Sequence, residues 1–287
     1  MTEQQSIPVA SKPVKTSRAG RNLPAALAVG FGLGGSLIAI LIFAPKVWVG
    51  VVAVAMAVAT HEVVRRLREG GFVIPLIPLL VGGQAMIWLT WPFGAAGALA
   101  AFGGTVVVCM IWRLVAGGLA SAPQNYLRDM ATTVFLATWV PLFGSFGALL
   151  IYPEDGAGRV FCLMLGVVAS DVGGYTAGVL FGKHPMAPAI SPKKSWEGLA
   201  GSLVLGVIVS SLAVQFLTDN PWWVGVPLGL MLVITGTLGD LVESQVKRDL
   251  GIKDMGALLP GHGGLMDRLD SVLPSAVATW IVLSLLA

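Results

Sequence analysis

Nine long apolar segments dominate this sequence and constrain its fold more than any other feature. Most of them reach the roughly 20 residues that a helix needs to cross about 30 Å of hydrocarbon. Charged residues make up only 11% of the chain, and hydrophobic residues make up 55%. The pattern therefore predicts an all-α polytopic integral membrane protein with about nine transmembrane helices. The segments cover residues 23–44, 47–61, 73–91, 93–112, 131–152, 159–182, 199–217, 222–239 and 269–287.

Positive charges indicate how these segments are oriented, because cytoplasmic loops close to membrane spans carry an excess of Lys and Arg. With a cytoplasmic amino terminus, nine spans place all 18 basic residues except Lys46 and Arg159 on the cytoplasmic side. The carboxyl terminus then lies outside. We expect a multi-pass protein of the cell (inner or plasma) membrane, with its active site facing the cytoplasm.

The chain divides into three parts by composition. Residues 1–22 are polar and basic and are expected to form a disordered cytoplasmic tail. A cleaved signal peptide is the alternative, although about 22 apolar residues is long for the apolar region of such a peptide. Residues 23–152 form the N-terminal transmembrane helices. Residues 153–287 form a C-terminal catalytic transmembrane domain with cytoplasmic loops at 183–198 and 240–268.

Charged residues and glycines concentrate near the end of the chain. The segment from Ser244 to Asp270 reads SQVKRDLGIKDMGALLPGHGGLMDRLD. If the preceding helix continues, Asp240, Glu243, Ser244 and Lys247 share one face of it. Asp267 and Asp270 follow at i, i+3 spacing as the last apolar segment begins, and two carboxylates so placed could bind a cation together. The glycines around His262 can bring backbone amides close to an anion.

These residue types indicate a class of chemistry. Hard oxygen ligands without a matching set of histidines or cysteines favour Mg²⁺, which shares its coordination sphere with substrate phosphates. A divalent metal, several cations and glycine amides together point to phosphoryl or nucleotidyl transfer. A solvated cytoplasmic loop held by salt bridges is the simpler alternative, but the density of charges and the placement of glycines argue against it.

The same segment resembles the signature of phosphatidate cytidylyltransferases, also called CDP-diacylglycerol synthases. The resemblance rests on S-x-apolar-K-R, then K-D, a small residue, L-P-x-H-G-G and x-D-R-x-D, all between Ser244 and Asp270. Two upstream stretches extend it: SPKKSWEG at 191–198 and DVGGYTAG at 171–178. Val172 and Gly174 depart from the family pattern, in which Thr and Ala are expected, so the role of the second stretch is less well defined.

The resemblance implies a reaction, its substrates and its cofactor. The phosphate of phosphatidic acid would attack the α-phosphorus of CTP, giving CDP-diacylglycerol and pyrophosphate in phospholipid biosynthesis. It implies Mg²⁺, with or without a second cation, a homodimer in the lipid bilayer, and no nucleic-acid partner.

The predicted site residues fall into three groups by role. The catalytic residues are Asp240, Lys247, Asp267 and Asp270. The metal ligands are Asp240, Asp267 and Asp270. The substrate-binding residues are Asp171, Lys193, Lys194, Ser244, Arg248, Lys253, His262, Gly263, Gly264 and Arg268. The sequence does not say which basic residues contact CTP and which contact the lipid phosphate. For Lys193 and Lys194, the alternative is a topology signal only.

The sequence leaves two other functions open. Another membrane phosphotransferase, such as a CDP-alcohol phosphotransferase, would also pair carboxylates with a magnesium-bound nucleotide, but its D-G-x-x-A-R run is absent from this sequence. An ion-coupled transporter could use intramembrane acids as an ion pathway. A transporter would leave the segment from Ser244 to Asp270 unexplained.

Overall fold

The computed structural model describes residues 23–258 and 263–286, and almost all of this part of the chain is helical. Eleven α-helices occur in it: α1 Leu23–Phe43, α2 Trp48–Glu69, α3 Leu76–Trp88, α4 Thr90–Val115, α5 Tyr126–Ala137, α6 Phe143–Leu149, α7 Gly156–Phe181, α8 Trp196–Leu217, α9 Gly225–Asp249, α10 Met266–Leu269 and α11 Val272–Leu285. A π-helical turn, Thr138–Leu142, joins α5 to α6, and 3₁₀ turns precede α2 and α9. The strands β1, Pro185–Ala187, and β2, Ser191–Ser195, form a small antiparallel hairpin.

Seven helical segments of the described chain are long and apolar enough to cross a membrane. Two shorter apolar stretches accompany them, Gly34–Phe43 of α1 and Leu76–Trp88 of α3. The prediction of an all-α polytopic membrane protein is confirmed. The count of nine spans and the orientation of the termini stay predictions, and the tail at 1–22 lies outside the described residues.

Helix ends depart from the predicted segment boundaries at two places that matter for the site. The second segment was expected to end at residue 61, but α2 continues to Glu69. The loop expected at 240–268 begins as helix, because α9 runs on to Asp249. Polar side chains can extend a helix beyond its apolar stretch, so a hydropathy pattern marks the membrane-embedded part and not the end of the helix.

The second half of the chain packs as a compact group of α7, α8, α9 and α11. Small residues allow α7 and α8 to lie close together: a Cβ on Gly173 would sit 2.5 Å from the carbonyl oxygen of Gly201. The Ser202 hydroxyl donates to the Ser170 carbonyl at 2.7 Å across the same contact. Close helix approach through small residues and interhelical hydrogen bonds is the usual basis of packing in lipid. The DVGGYTAG stretch therefore has a packing role as well as supplying Asp171.

The hairpin and the ends of several helices meet at one end of the bundle. The C-terminal ends of α7 and α9 lie there with the N-terminal ends of α8 and α11. Ser195 caps α8 by accepting the amide of Gly198 at 3.1 Å. Most of the predicted site residues lie at this end, which we call the polar end.

Candidate active site

A cavity of about 350 Å³ opens at the polar end between α7, α8, α9 and the β1–β2 hairpin. Polar and charged groups line it from all four elements, among them Asp171, Lys193, Lys194, Ser195, Thr237 and Asp240. Tyr175 also lines the cavity and is 76% exposed, so the cavity reaches the outer surface of the bundle. The cavity is therefore accessible to a ligand beside Tyr175.

Three carboxylates converge beside this cavity. One oxygen from each of Asp240, Glu243 and Asp270 lies within 4.8 Å of the others. Asp240 and Glu243 are three residues apart on α9, and Asp270 directly follows α10. Glu243 is only 1% exposed, and its Oε1 has no hydrogen-bond partner in the described part of the chain. A buried carboxylate oxygen without a partner is costly, so this arrangement suits a bound cation.

Two lysines partly neutralise this cluster. Lys194 Nζ lies 2.6 Å from Asp240 Oδ2 and 3.2 Å from the Thr237 carbonyl, to which it donates. Lys247 Nζ forms ion pairs with Glu243 and with Asp267, at 2.6 Å from Asp267 Oδ1. Four carboxylates with two ammonium groups leave a formal charge of −2 when all are ionised. A divalent cation would balance that charge.

Asp267 lies outside the group of three carboxylates, and its assignment as a metal ligand stays a prediction. Its two carboxylate oxygens each accept the Met255 amide at 3.1 Å, and Oδ2 also accepts the Gly264 amide at 2.7 Å. Lys247 lies against Oδ1. These contacts make Asp267 the residue that fixes the loop and Lys247, while Glu243 completes the acidic cluster with Asp240 and Asp270.

The structure brings several other predicted residues to the cavity or its edge. Asp171, Lys193 and Lys194 line the cavity together with Asp240. The Ser244 hydroxyl donates to Asp240 Oδ1 at 3.3 Å, so Ser244 contacts a predicted metal ligand directly.

The remaining predicted residues lie away from the cavity lining. Arg248 is exposed, and its Nε donates to the carbonyl of Ile190 in the hairpin loop. Lys253 and Arg268 are exposed. Gly263 has a φ of +86° and adjoins Asp267, and Gly264 gives its amide to that carboxylate. His262 lies outside the described residues.

Sequence reasoning missed two residues of the site. Glu243 was placed on the correct helix face but not among the metal ligands, although its i, i+3 spacing from Asp240 was a usable signal. Gly239 allows α9 to approach the segment of Asp270, because a Cβ there would lie 2.3 Å from the Asp270 carbonyl oxygen. Gly239 is one of 37 glycines, so the sequence alone did not single it out.

Comparisons with known proteins identify the family of this chain. The sequence profile of the cytidylyltransferase family matches residues 25–286. The phosphatidate cytidylyltransferase of Mycobacterium tuberculosis (strain H37Rv) is 67% identical over 95% of this chain and 85% of its own length. That of Mycobacterium leprae is 67% identical over 94% of this chain and 90% of its own. That of Helicobacter pylori (strain 26695) is 35% identical over 61% of this chain and 65% of its own. The chain belongs to the cytidylyltransferase family.

Proposed function

We propose that this protein is a phosphatidate cytidylyltransferase, which joins CTP and phosphatidic acid to give CDP-diacylglycerol and pyrophosphate. The observation that carries the proposal is the convergence of Asp240, Glu243 and Asp270 within 4.8 Å beside a lysine-lined cavity. The names of relatives that are 67% identical over nearly the whole chain support the choice of substrates. The reaction is a nucleotidyl transfer within phospholipid biosynthesis.

The donor set fits Mg²⁺ as the cofactor. Asp240, Glu243 and Asp270 would hold the ion, since it prefers hard oxygen ligands and binds to few protein groups when it also binds phosphates. When bound, the ion supplies charge neutralisation at the phosphates and fixes their orientation. Asp171 lines the same cavity as Asp240. A carboxylate at that position would repel a phosphate, which favours a second cation between the two.

The chain's own residues would act mainly by position and charge. The reaction forms a bond between a phosphate oxygen of phosphatidic acid and the α-phosphorus of CTP, and it breaks the bond between that phosphorus and the bridging oxygen of pyrophosphate. Lys193 and Lys194 line the cavity and would reduce the repulsion between the two anions. A phosphate monoester is largely ionised near neutral pH, since its second pKa is about 6, so no general base is needed.

The cavity also suits one water-soluble substrate and one lipid substrate. CTP would enter from the polar end, which we propose faces the cytoplasm because the basic residues cluster there. The opening beside the exposed Tyr175 would admit the lipid phosphate while the acyl chains stay in the bilayer. A homodimer in the cell membrane stays a prediction, because exposed apolar helix faces suit lipid and a second copy equally well.

Product formation tests this proposal directly. The purified protein in detergent with CTP, phosphatidic acid and Mg²⁺ should release pyrophosphate and CDP-diacylglycerol in equal amounts. Asp240→Asn should abolish both products while leaving the protein folded. Asp249→Asn, an exposed acid at the end of the same helix, is the matched control and should keep wild-type activity. A well-folded wild-type protein that forms neither product would refute the proposal.

A further inference from the structure

The end of α2 contacts the loop that leads into α10, the helix that carries Asp267, although α2 belongs to the first half of the chain. Glu62 is 9% exposed, and its Oε2 accepts the backbone amide of Met266 at 3.0 Å. Arg66, one turn further along α2, donates from Nε to the Met255 carbonyl at 2.9 Å. Two side chains of one helix therefore hold the two ends of the segment 255–266.

These contacts lie directly beside the ones that hold Asp267. The Met255 peptide is bonded on both sides, because its carbonyl accepts from Arg66 while its amide donates to Asp267. Met266, which donates to Glu62, immediately precedes Asp267 in the chain. A shift of the α2 contacts would thus move the carboxylate of Asp267 as well.

Two glycines leave room for the Glu62 carboxylate. A Cβ on Gly256 would lie 2.2 Å from Glu62 Oε1, and a Cβ on Gly264 would lie 2.8 Å from Glu62 Oε2. The same two glycines approach each other, since a Cβ on Gly264 would be 2.6 Å from the Gly256 amide nitrogen. The backbone at Gly256 and Gly264 therefore closes around the Glu62 carboxylate.

A continuous set of polar contacts connects α2 with the acidic cluster. Glu62 and Arg66 contact the loop backbone, which in turn contacts Asp267. Asp267 Oδ1 lies 2.6 Å from Lys247 Nζ, and Lys247 also pairs with Glu243. Lys247 pairs with Glu243 four residues earlier on α9, and Asp267 contacts the same ammonium group from outside that helix. The loop position set by α2 therefore influences where this ammonium group lies relative to the cluster.

We propose that Glu62, assisted by Arg66, is a positioning residue for the transfer reaction: it fixes the loop so that Asp267 holds Lys247 against Glu243. The role rests on the proposed function, because it concerns catalysis at that site. Neither residue lines the cavity, so both act through the loop without touching a substrate.

The test compares three substitutions on α2. Glu62→Leu removes the acceptor of the Met266 amide but keeps apolar bulk. Glu62→Gln keeps an oxygen that can accept this amide and removes the charge. Arg65→Gln is the control, because the Arg65 side chain is 70% exposed and pairs only with Glu69 in the described part of the chain.

Kinetics and hydrogen exchange give separate readouts. We expect Glu62→Leu to lower kcat by roughly 10–100-fold, the size of effect that a displacement of about 1 Å has on a reaction that depends on positioning. KM for CTP should change little, and the Mg²⁺ concentration for half-maximal rate should rise. Glu62→Gln should stay within about threefold of wild type, since its amide oxygen can make the same hydrogen bond. Arg65→Gln should match wild type.

Hydrogen exchange of the detergent-solubilised protein locates the cause of any loss. Glu62→Leu should speed exchange in peptides that cover 250–270, where the amides of Met255, Gly264 and Met266 are bonded, and leave α7 and α8 unchanged. Wild-type kcat in Glu62→Leu, or faster exchange throughout the bundle, would overturn the inference. Inactive wild-type protein would instead refute the proposed function, and the local exchange would still test the contact between α2 and the loop.

Discussion

Replacement of Glu243 by Gln tests the metal site most directly. Glu243 is 1% exposed, and its Oε1 has no partner among the described residues. The substitution removes one negative charge and one carboxylate ligand but keeps an oxygen that can accept from Lys247. It should weaken Mg²⁺ binding and, in the absence of metal, leave the protein as stable as wild type or more stable.

The structure sets the size of both effects. Two carboxylates 4.8 Å apart repel each other by roughly 3 kcal/mol at an effective dielectric constant of about 20. The repulsion from Asp240 is smaller, because its side chain is 37% exposed and screened by solvent. Loss of a ligand should weaken metal binding by at least about 10–100-fold, the range measured for groups that merely support ligands. At a Mg²⁺ concentration about 100 times the wild-type Kd, a 100-fold loss lowers the stabilisation by metal from about 2.7 to about 0.4 kcal/mol.

Thermal unfolding in detergent can be followed by tryptophan fluorescence, with EDTA and over a series of Mg²⁺ concentrations. It measures both the stability of the metal-free protein and the stabilisation by Mg²⁺. The shift in unfolding midpoint on adding Mg²⁺ should nearly disappear in Glu243→Gln, and the midpoint in EDTA should not fall. Asp249→Asn should behave as wild type. An unchanged Mg²⁺ shift in Glu243→Gln would show that Glu243 is not a ligand, and the reasoning from its unpaired oxygen would be refuted.

Three further substitutions test the packing and the charges around this site. Gly239→Ala should abolish product formation, because the added Cβ would lie 2.3 Å from the Asp270 carbonyl oxygen and would displace Asp270. Steady-state product assays measure the loss, and circular dichroism checks that the variant is folded. Lys194→Met should raise KM for CTP at least about tenfold, since it removes a cation from the cavity. It should also tighten Mg²⁺ binding in the absence of nucleotide, because Asp240 loses its ion pair with Lys194. Asp129→Ala should lower the free energy of unfolding by roughly 3–5 kcal/mol, since Asp129 is fully buried between two arginines.

Each of these substitutions has a control in the chain. Gly104→Ala adds a Cβ with nothing within 4 Å and should be neutral. Lys46→Met removes an exposed lysine far from the polar end, and Asp219→Ala removes an exposed acid. An active Gly239→Ala, an unchanged KM for CTP in Lys194→Met, or wild-type stability in Asp129→Ala would each contradict the corresponding structural argument.

The sequence predicted the fold class because membrane helices carry a strong signal. Long apolar runs with few charges can satisfy their backbone groups in lipid only as helices or closed barrels, and the runs here have helical length. Helix ends were less well predicted, since neither the polar end of α2 nor that of α9 differs in composition from a loop. The contact between Glu62 and Met266 spans 204 residues, and no local pattern in either segment indicates it.

The sequence indicated which residues could form the candidate site, but it did not indicate the contacts between them. Asp240 and Asp270, both predicted as ligands, have carboxylate oxygens within 4.8 Å of each other, and their roles stay predictions. The contacts of Asp267 depend on the path of the preceding loop. That path brings the backbone amide of Met255, 12 residues earlier, to the Asp267 carboxylate. Spacing along the chain cannot show which of several nearby acids already has donors, so the sequence predicted Asp267 as a ligand and left out Glu243; both assignments stay predictions.

The charge of the cluster explains why removing a lysine and removing a carboxylate should change metal binding and CTP binding in opposite directions. Asp267 is held by two backbone amides and Lys247, and Asp240 is held by Lys194, so both carboxylates have donors in the protein. Glu243 retains one oxygen that no donor in the described chain satisfies. Loss of a lysine makes the cluster more negative, which favours a cation and disfavours CTP, whereas loss of a carboxylate does the reverse. A reaction between two anions needs both, so we expect the formal charge of −2 to balance metal binding against admission of the nucleotide.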